Sequence, residues 1–196
     1  MSFNTITSFE DIVASYFGAK YGVAVDSCTH GLELCLRYTK ADKMQSPRRT
    51  YISVPFLADK LSIDLEWIDC TWSDYYYITT DIIDAAVLWG ENTYVPNTLM
   101  CISFQYRKHL SLGRGGMILT DNIDQAVALK KMSYDGRLPD VPWREQNIDT
   151  MGYHYYMTPE TAAEGIYKFA EAVETIPHQW DINDWPDISL MDVFNN

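Results

Sequence analysis

Lys108 lies in a polar connection between two apolar runs, residues 99–104 and 117–120, the second preceded by glycines at 113, 115 and 116. Short apolar runs bounded in this way read as buried strands. A lysine on a loop between buried strands has its stem held and its head near the interior. Desolvation and the neighbouring Arg107 and His109 would then lower its pKa, and an amine is a nucleophile only when part of it is neutral. The alternative is an ordinary solvated loop lysine. A second stretch, Ser27-Cys28-Thr29, falls between an apolar strand at 21–25 and a helix running from Gly31 through Leu32, Leu34, Cys35 and Leu36. Free N–H groups and the positive end of the helix dipole favour a phosphate there, unless the turn is a plain N-cap. The third residue is Asp84, one carboxylate inside the apolar run IIDAAVL. It either caps neighbouring backbone or faces a ligand carrying positive charge.

The elements that must position these residues follow from periodicity. Ser8 opens an S-x-x-D cap before Phe9, Ile12, Val13, Tyr16 and Phe17 at helical spacing, with Gly18 or Gly22 as the stop. KADKMQSPRR reads as a polar loop, residues 50–54 as a strand, 56–63 as a short helix and 65–68 as another strand. Trp67, Trp72, Tyr75, Tyr76 and Tyr77 read as packing rather than as a ligand cage. Asp121 or Asn122 caps a helix through Ala126 and Leu129, and Thr158-Pro159 starts another that carries Ala162, Ile166 and Phe169 on one face. Strands alternating with helices imply an α/β fold around a mainly parallel sheet. Residues 1–176 form its body, and 177–196 are an acidic, Trp-rich tail, either packed on the body or partly ordered.

The 196 residues, 47% of them apolar, can bury one proper core. A formal charge of −12 argues against nucleic acid or an anionic membrane as the main partner. The segment MSFNTITSFEDIV lacks the features of a signal peptide, and no apolar run is long enough to span a bilayer, so a cytoplasmic protein is expected. Cys28, Cys35, Cys70 and Cys101 are widely spaced, which reads as reduced thiols without a metal site.

An anion-binding turn, a buried carboxylate and a loop lysine are together the set that a pyridoxal phosphate site requires: phosphate anchor, partner for the pyridine nitrogen, and Schiff-base amine. The same stretches resemble the DegT/DnrJ/EryC1/StrS aminotransferases. FEDIVASYFGAKYGVAVDSCTHGLELCL is similar to that family's opening helix, strand and S-G-T-x-A-L turn, and IIDAAV to its E-D-x-A-Q strand. SFQYRKHLSLGRGGMILT is similar to S-F-H-x-x-K-x-x-x-x-G-E-G-G, and MGYHYYMTPETAAEG to G-Y-N-Y-R-M-x-x-x-Q-A-A-x-G.

The resemblance implies the large domain of fold-type I pyridoxal phosphate enzymes, in a reduced member lacking most of the small C-terminal domain. It implies Lys108 as the Schiff-base lysine and Asp84 as the partner of the ring nitrogen. Thr29, the backbone at Cys28, and Ser103 would hold the phosphate, with Ser27 in the same turn. It further implies a homodimer with a shared active site, in which His154, standing where the family has asparagine, reaches the neighbouring cofactor. The implied reaction moves an amino group from an amino acid such as glutamate to a nucleotide-linked keto-sugar or related carbonyl compound. Val87 stands where the family has glutamine or histidine, Cys28 replaces a glycine, Arg114 a glutamate and Tyr156 an arginine. The stretch from Pro55 to Asp84 is also short, so no residue is assigned to stack on the ring. These departures keep two alternatives open: a non-catalytic relative that serves as a binding or partner subunit, and a different reaction on the same cofactor.

Overall fold

A computed structural model describes residues 2–139 and 141–195. Helix α1 (Phe3–Phe17) buries Ile6, Phe9, Val13 and Phe17 at helical spacing. It begins well before the expected Ser8 cap, because the Ser8 hydroxyl donates back to the Asn4 carbonyl and is accommodated within the helix. Gly18, at φ 81°, ends it in the left-handed conformation open to glycine. Strand β1 (Tyr21–Val25) leads to α2 (Cys28–Thr39), which Ser27 caps by accepting the His30 N–H. The helix therefore starts at Cys28, not at Gly31, and Cys28 and Thr29 are its first two residues.

Strands β2 (Lys43–Pro47) and β3 (Asp64–Ile68) pair in parallel, with α3 (Phe56–Leu61) between them in the chain. β2 lies in the segment expected to be a loop, whereas residues 50–54, expected as a strand, form bends and turns. Its polar composition hides it: Gln45 spends its backbone N–H on the Ile78 carbonyl and its side-chain amide on that of Tyr77. The central sheet contains β4 (Tyr76–Tyr77), β5 (Ile82–Asp84), β6 (Leu99–Ser103) and β7 (Gly116–Thr120) in the order β1-β7-β6-β5-β4. The α/β class holds, but the sheet is mixed rather than mainly parallel. Only β5 and β6 pair in parallel; β1–β7, β6–β7 and β4–β5 are antiparallel. Short or helix-free connections accompany the reversals: residues 78–81 join β4 to β5, too few for a crossover, and a loop with no helix joins β6 to β7.

Alternate residues of each strand point to opposite faces of the sheet. Val23, Val25, Leu99, Cys101 and Ile118 join one core with Leu32 and Leu36 of α2 and Leu129 of α4 (Ile123–Ser133). Ala24, Met100, Ile102, Met117 and Leu119 join the other with Phe9 and Val13 of α1 and Ala162 of α5 (Pro159–Glu174). As expected, Asn122 caps α4 and Thr158 caps α5.

The last residues pack on the body in short 3-10 turns. Arg49 donates to the Trp185 carbonyl at 2.8 Å, Arg48 to the Ser189 hydroxyl at 2.8 Å, and Phe194 meets the rings of Phe56 and Trp67.

The start of β7 presses on the start of α2. A methyl group at Gly116 would lie 2.4 Å from the Cys28 nitrogen and 2.7 Å from the Ser27 carbonyl carbon. Neither atom can swing aside, because both belong to a capped backbone turn. Gly116→Ala should therefore destabilise the fold by about 1–3 kcal/mol, read as a lower urea midpoint at unchanged slope. An unchanged midpoint would show that the turn can yield.

Candidate active site

The loop after β6 is fixed at several points around Lys108. Phe104, Leu110 and Leu112 are buried, and the N–H groups of Phe104 and Tyr106 bond the carbonyls of Gly115 and Gly113. The Lys108 N–H donates to the Gln105 carbonyl at 2.7 Å, closing a tight turn. His109 turns away, its Nε2 lying 2.8 Å from the Ala172 carbonyl at the end of α5. Lys108 is thus half-buried, with its amine 4.7 Å from the centre of the Trp180 ring and 5.7 Å from that of Trp185. Burial lowers its pKa; the charge of Asp84 opposes this, and Arg107 reinforces it. Of the two flanking residues, Arg107 acts as the sequence implied, while His109 is engaged elsewhere.

Asp84 ends β5 and is only 4% exposed. One carboxylate oxygen accepts the Ala86 N–H at 2.9 Å and faces the Cys28 thiol at 4.0 Å. The other accepts the Tyr76 hydroxyl, which itself lies 2.5 Å from the Thr50 hydroxyl. Burial pushes the Asp84 carboxyl above its ordinary range, although Tyr76, Ala86 and Lys108 all pull it down. Burial also raises the Cys28 thiol, which stays a neutral donor. Asp84 is therefore a carboxylate short of positive charge.

At the start of α2, the His30 and Gly31 N–H groups bond Ser27. Those of Cys28 and Thr29 have no carbonyl within the helix to bond. The Thr29 hydroxyl is 2.7 Å from that of Ser53. Arg114 braces the turn from outside, with one guanidinium nitrogen 2.9 Å from the Asp26 carboxylate.

Ser27, Cys28, Thr29, Asp84, Ser103 and Lys108 all line one cavity of about 300 Å³. Val87 also lines it and offers no donor. His154 is the expected site residue that lies elsewhere: it is exposed and paired with Asp135 at 3.1 Å. Several residues of the cavity wall were not assigned to a site from sequence. In the sequence Trp72 and Tyr76 read as packing, and Trp180 and Trp185 lie in a tail without periodicity, yet all four line the cavity. An aromatic cluster a few residues before a buried carboxylate was the available signal.

The chain resembles known proteins over most of its length. The Methanocaldococcus jannaschii protein MJ1066, named only as uncharacterised, is 25% identical over 219 aligned positions, covering 84% of this chain and 56% of the relative. AtS13 from Actinomadura melliaura superposes with a TM-score of 0.79 at 19% identity, over 88% of this chain and 61% of that one. The sugar aminotransferase CalS13 from Micromonospora echinospora gives 0.72 at 14% identity, over 87% and 61%. NtdA from Bacillus subtilis, solved with bound cofactor PMP, gives 0.65 at 17%, over 83% and 47%. The chain thus spans between 47% and 61% of the length of these proteins. Its residues 1–87 and 92–189 match one family model. The chain belongs to the DegT/DnrJ/EryC1/StrS aminotransferase family.

Proposed function

We propose that this chain binds pyridoxal phosphate in the cavity beside Lys108 and acts as an aminotransferase. The observation that carries the reading is the grouping of Lys108, Asp84 and the N-terminus of α2 around one space of about 300 Å³. The residues present fit the cofactor in three ways. The Cys28 and Thr29 N–H groups have no bonding partner among the described residues, and both residues line the cavity that Ser103 also lines, which suits a phosphate. Asp84 is buried and short of positive charge, suited to a protonated pyridine nitrogen. Lys108 is held in a fixed loop with its pKa lowered, suited to a carbonyl carbon.

When bound, the cofactor would supply an electron sink for charge developing at the substrate carbon. Thr29, the Cys28 backbone and Ser103 would hold its phosphate, with Ser27 ordering the turn. Asp84 would keep the ring nitrogen protonated. Lys108 would bind the cofactor carbonyl and, once displaced, take and return the proton at the substrate carbon through Nζ. Trp180 and Trp185 would exclude water on that side. The amino donor would be an amino acid such as glutamate, and the acceptor a nucleotide-linked keto-sugar or related carbonyl compound, as the family and the sugar aminotransferase CalS13 suggest. His154, exposed and outside its own cavity, would serve the site of a second copy in a cytoplasmic homodimer. A non-catalytic binding subunit is the second reading, favoured by Val87, which brings no donor to the cavity.

Two measurements test the site. Wild-type protein incubated with pyridoxal phosphate should turn yellow and gain about 2.7 kcal/mol of stability at a hundredfold excess over Kd, and Lys108→Ala should lose the colour. Glutamate should then bleach the wild type. Colour that no amino donor discharges would favour the binding subunit, and no colour in either protein would sink the enzyme.

The second test follows the lysine alone. Competitive acetylation against pH should give Lys108 a midpoint below that of a free lysine side chain. Asp84→Asn removes a charge that raises the Lys108 pKa, so the midpoint should fall further. A rise in that variant would contradict the electrostatics described above.

A further inference from the structure

We propose that Tyr76 is a positioning residue, its phenol holding the Asp84 carboxylate ionised and turned so that one oxygen edge stays open to the cavity. The inference takes its purpose from the proposed cofactor site, but its main test does not need the cofactor.

Three observations carry it. First, the Tyr76 hydroxyl donates to Asp84, and the residue is only 6% exposed, so water does not compete for that bond. Second, the bond is part of a chain. Thr50, 2% exposed, places its hydroxyl 2.5 Å from the Tyr76 oxygen, and Trp72 covers the phenol ring at 4.9 Å. With Thr50 donating, the phenol becomes a stronger donor to Asp84. Third, β4 pairs antiparallel with β5, and Tyr76 is the residue directly opposite Asp84. The short connection between the two strands therefore fixes the contact by register.

The other groups near the carboxylate act differently. The Ala86 N–H fixes the oxygen that Tyr76 leaves, while Cys28 and Cys101 are buried neutral thiols. Among the described residues Lys108 is the cation that acts on Asp84, and in the proposed reaction it must at times be neutral. A neutral donor that does not titrate in the working range is then what keeps the buried carboxylate charged and aimed. A carboxylate oxygen accepts more than one hydrogen bond, so the edge beyond Tyr76 remains available to a ring N–H.

The experiment is a carboxyl carbon NMR titration of the cofactor-free chain labelled at aspartate, with Asp84→Asn identifying the resonance. Tyr76→Phe should raise the Asp84 midpoint by about one pH unit, a tenfold gain in proton affinity. Thr50→Val leaves the direct bond in place and should shift it less, in the same direction, which keeps the test alive if Tyr76→Phe folds poorly. Affinity for pyridoxal phosphate should fall several-fold in Tyr76→Phe. Unmoved midpoints in both variants, even with lowered thermal stability, would overturn the proposal and leave Tyr76 a packing residue. If the wild type binds no pyridoxal phosphate, the aminotransferase reading fails, while the titration still decides whether Tyr76 holds the carboxylate.

Discussion

A carboxylate at the inner end of β5, nearly removed from water, is the constraint to which the rest of the site answers. Ionised and unpaired, Asp84 would be costly enough to protonate or to unravel the strand end. The fold meets it with donors from three places: the Ala86 N–H just beyond its own strand, the Cys28 thiol at the start of α2, and the Tyr76 hydroxyl across β4. Each requires a particular placement of its element. The helix start must come close to the sheet, which is why β7 opens with Gly116 rather than a residue with a side chain. β4 must run antiparallel to β5, which sets the tyrosine opposite the aspartate. Even with these partners, burial still outweighs the donors and holds the Asp84 carboxyl above its ordinary range.

Much of this was legible in the sequence, because it rests on local signals. Lys108 was set apart by two apolar runs and three glycines, and those runs became β6 and β7 nearly residue for residue. The Ser27 turn was set apart by hydroxyl residues between a strand and a helix, and only the helix start was misplaced. What stayed hidden depends on pairing at a distance. β2 has no apolar alternation, since Gln45 bonds Ile78 and Tyr77 with polar groups. The mixed sheet goes with connections that carry no helix, whereas strand–helix alternation in the sequence suggests crossovers. Tyr76 looked like one packing aromatic among several, because its hydroxyl acquires meaning only through the register that sets it against Asp84. The indoles of Trp180 and Trp185 reach the cavity from more than seventy residues beyond Lys108, and no periodicity announces such a return.

Those indoles give the amine a balanced environment. A π face attracts an ammonium ion, so Trp180 and Trp185 at 4.7 and 5.7 Å favour the charged form of Lys108, as does the charge of Asp84. The same rings displace water, and burial is the largest influence on the amine and acts the other way. Removing the indoles would therefore take away both an attraction for the ammonium and the exclusion that makes it reluctant to exist. Their anchorage lies away from the cavity, where Arg49 holds the Trp185 carbonyl and Phe194 packs against Phe56 and Trp67. The two indoles also stack on each other at 5.6 Å, so the wall nearest the lysine is held both by these distant contacts and by its own aromatic packing. Its reach into the cavity depends on the packing of residues 177–195 as much as on the sheet that carries Lys108 and Asp84.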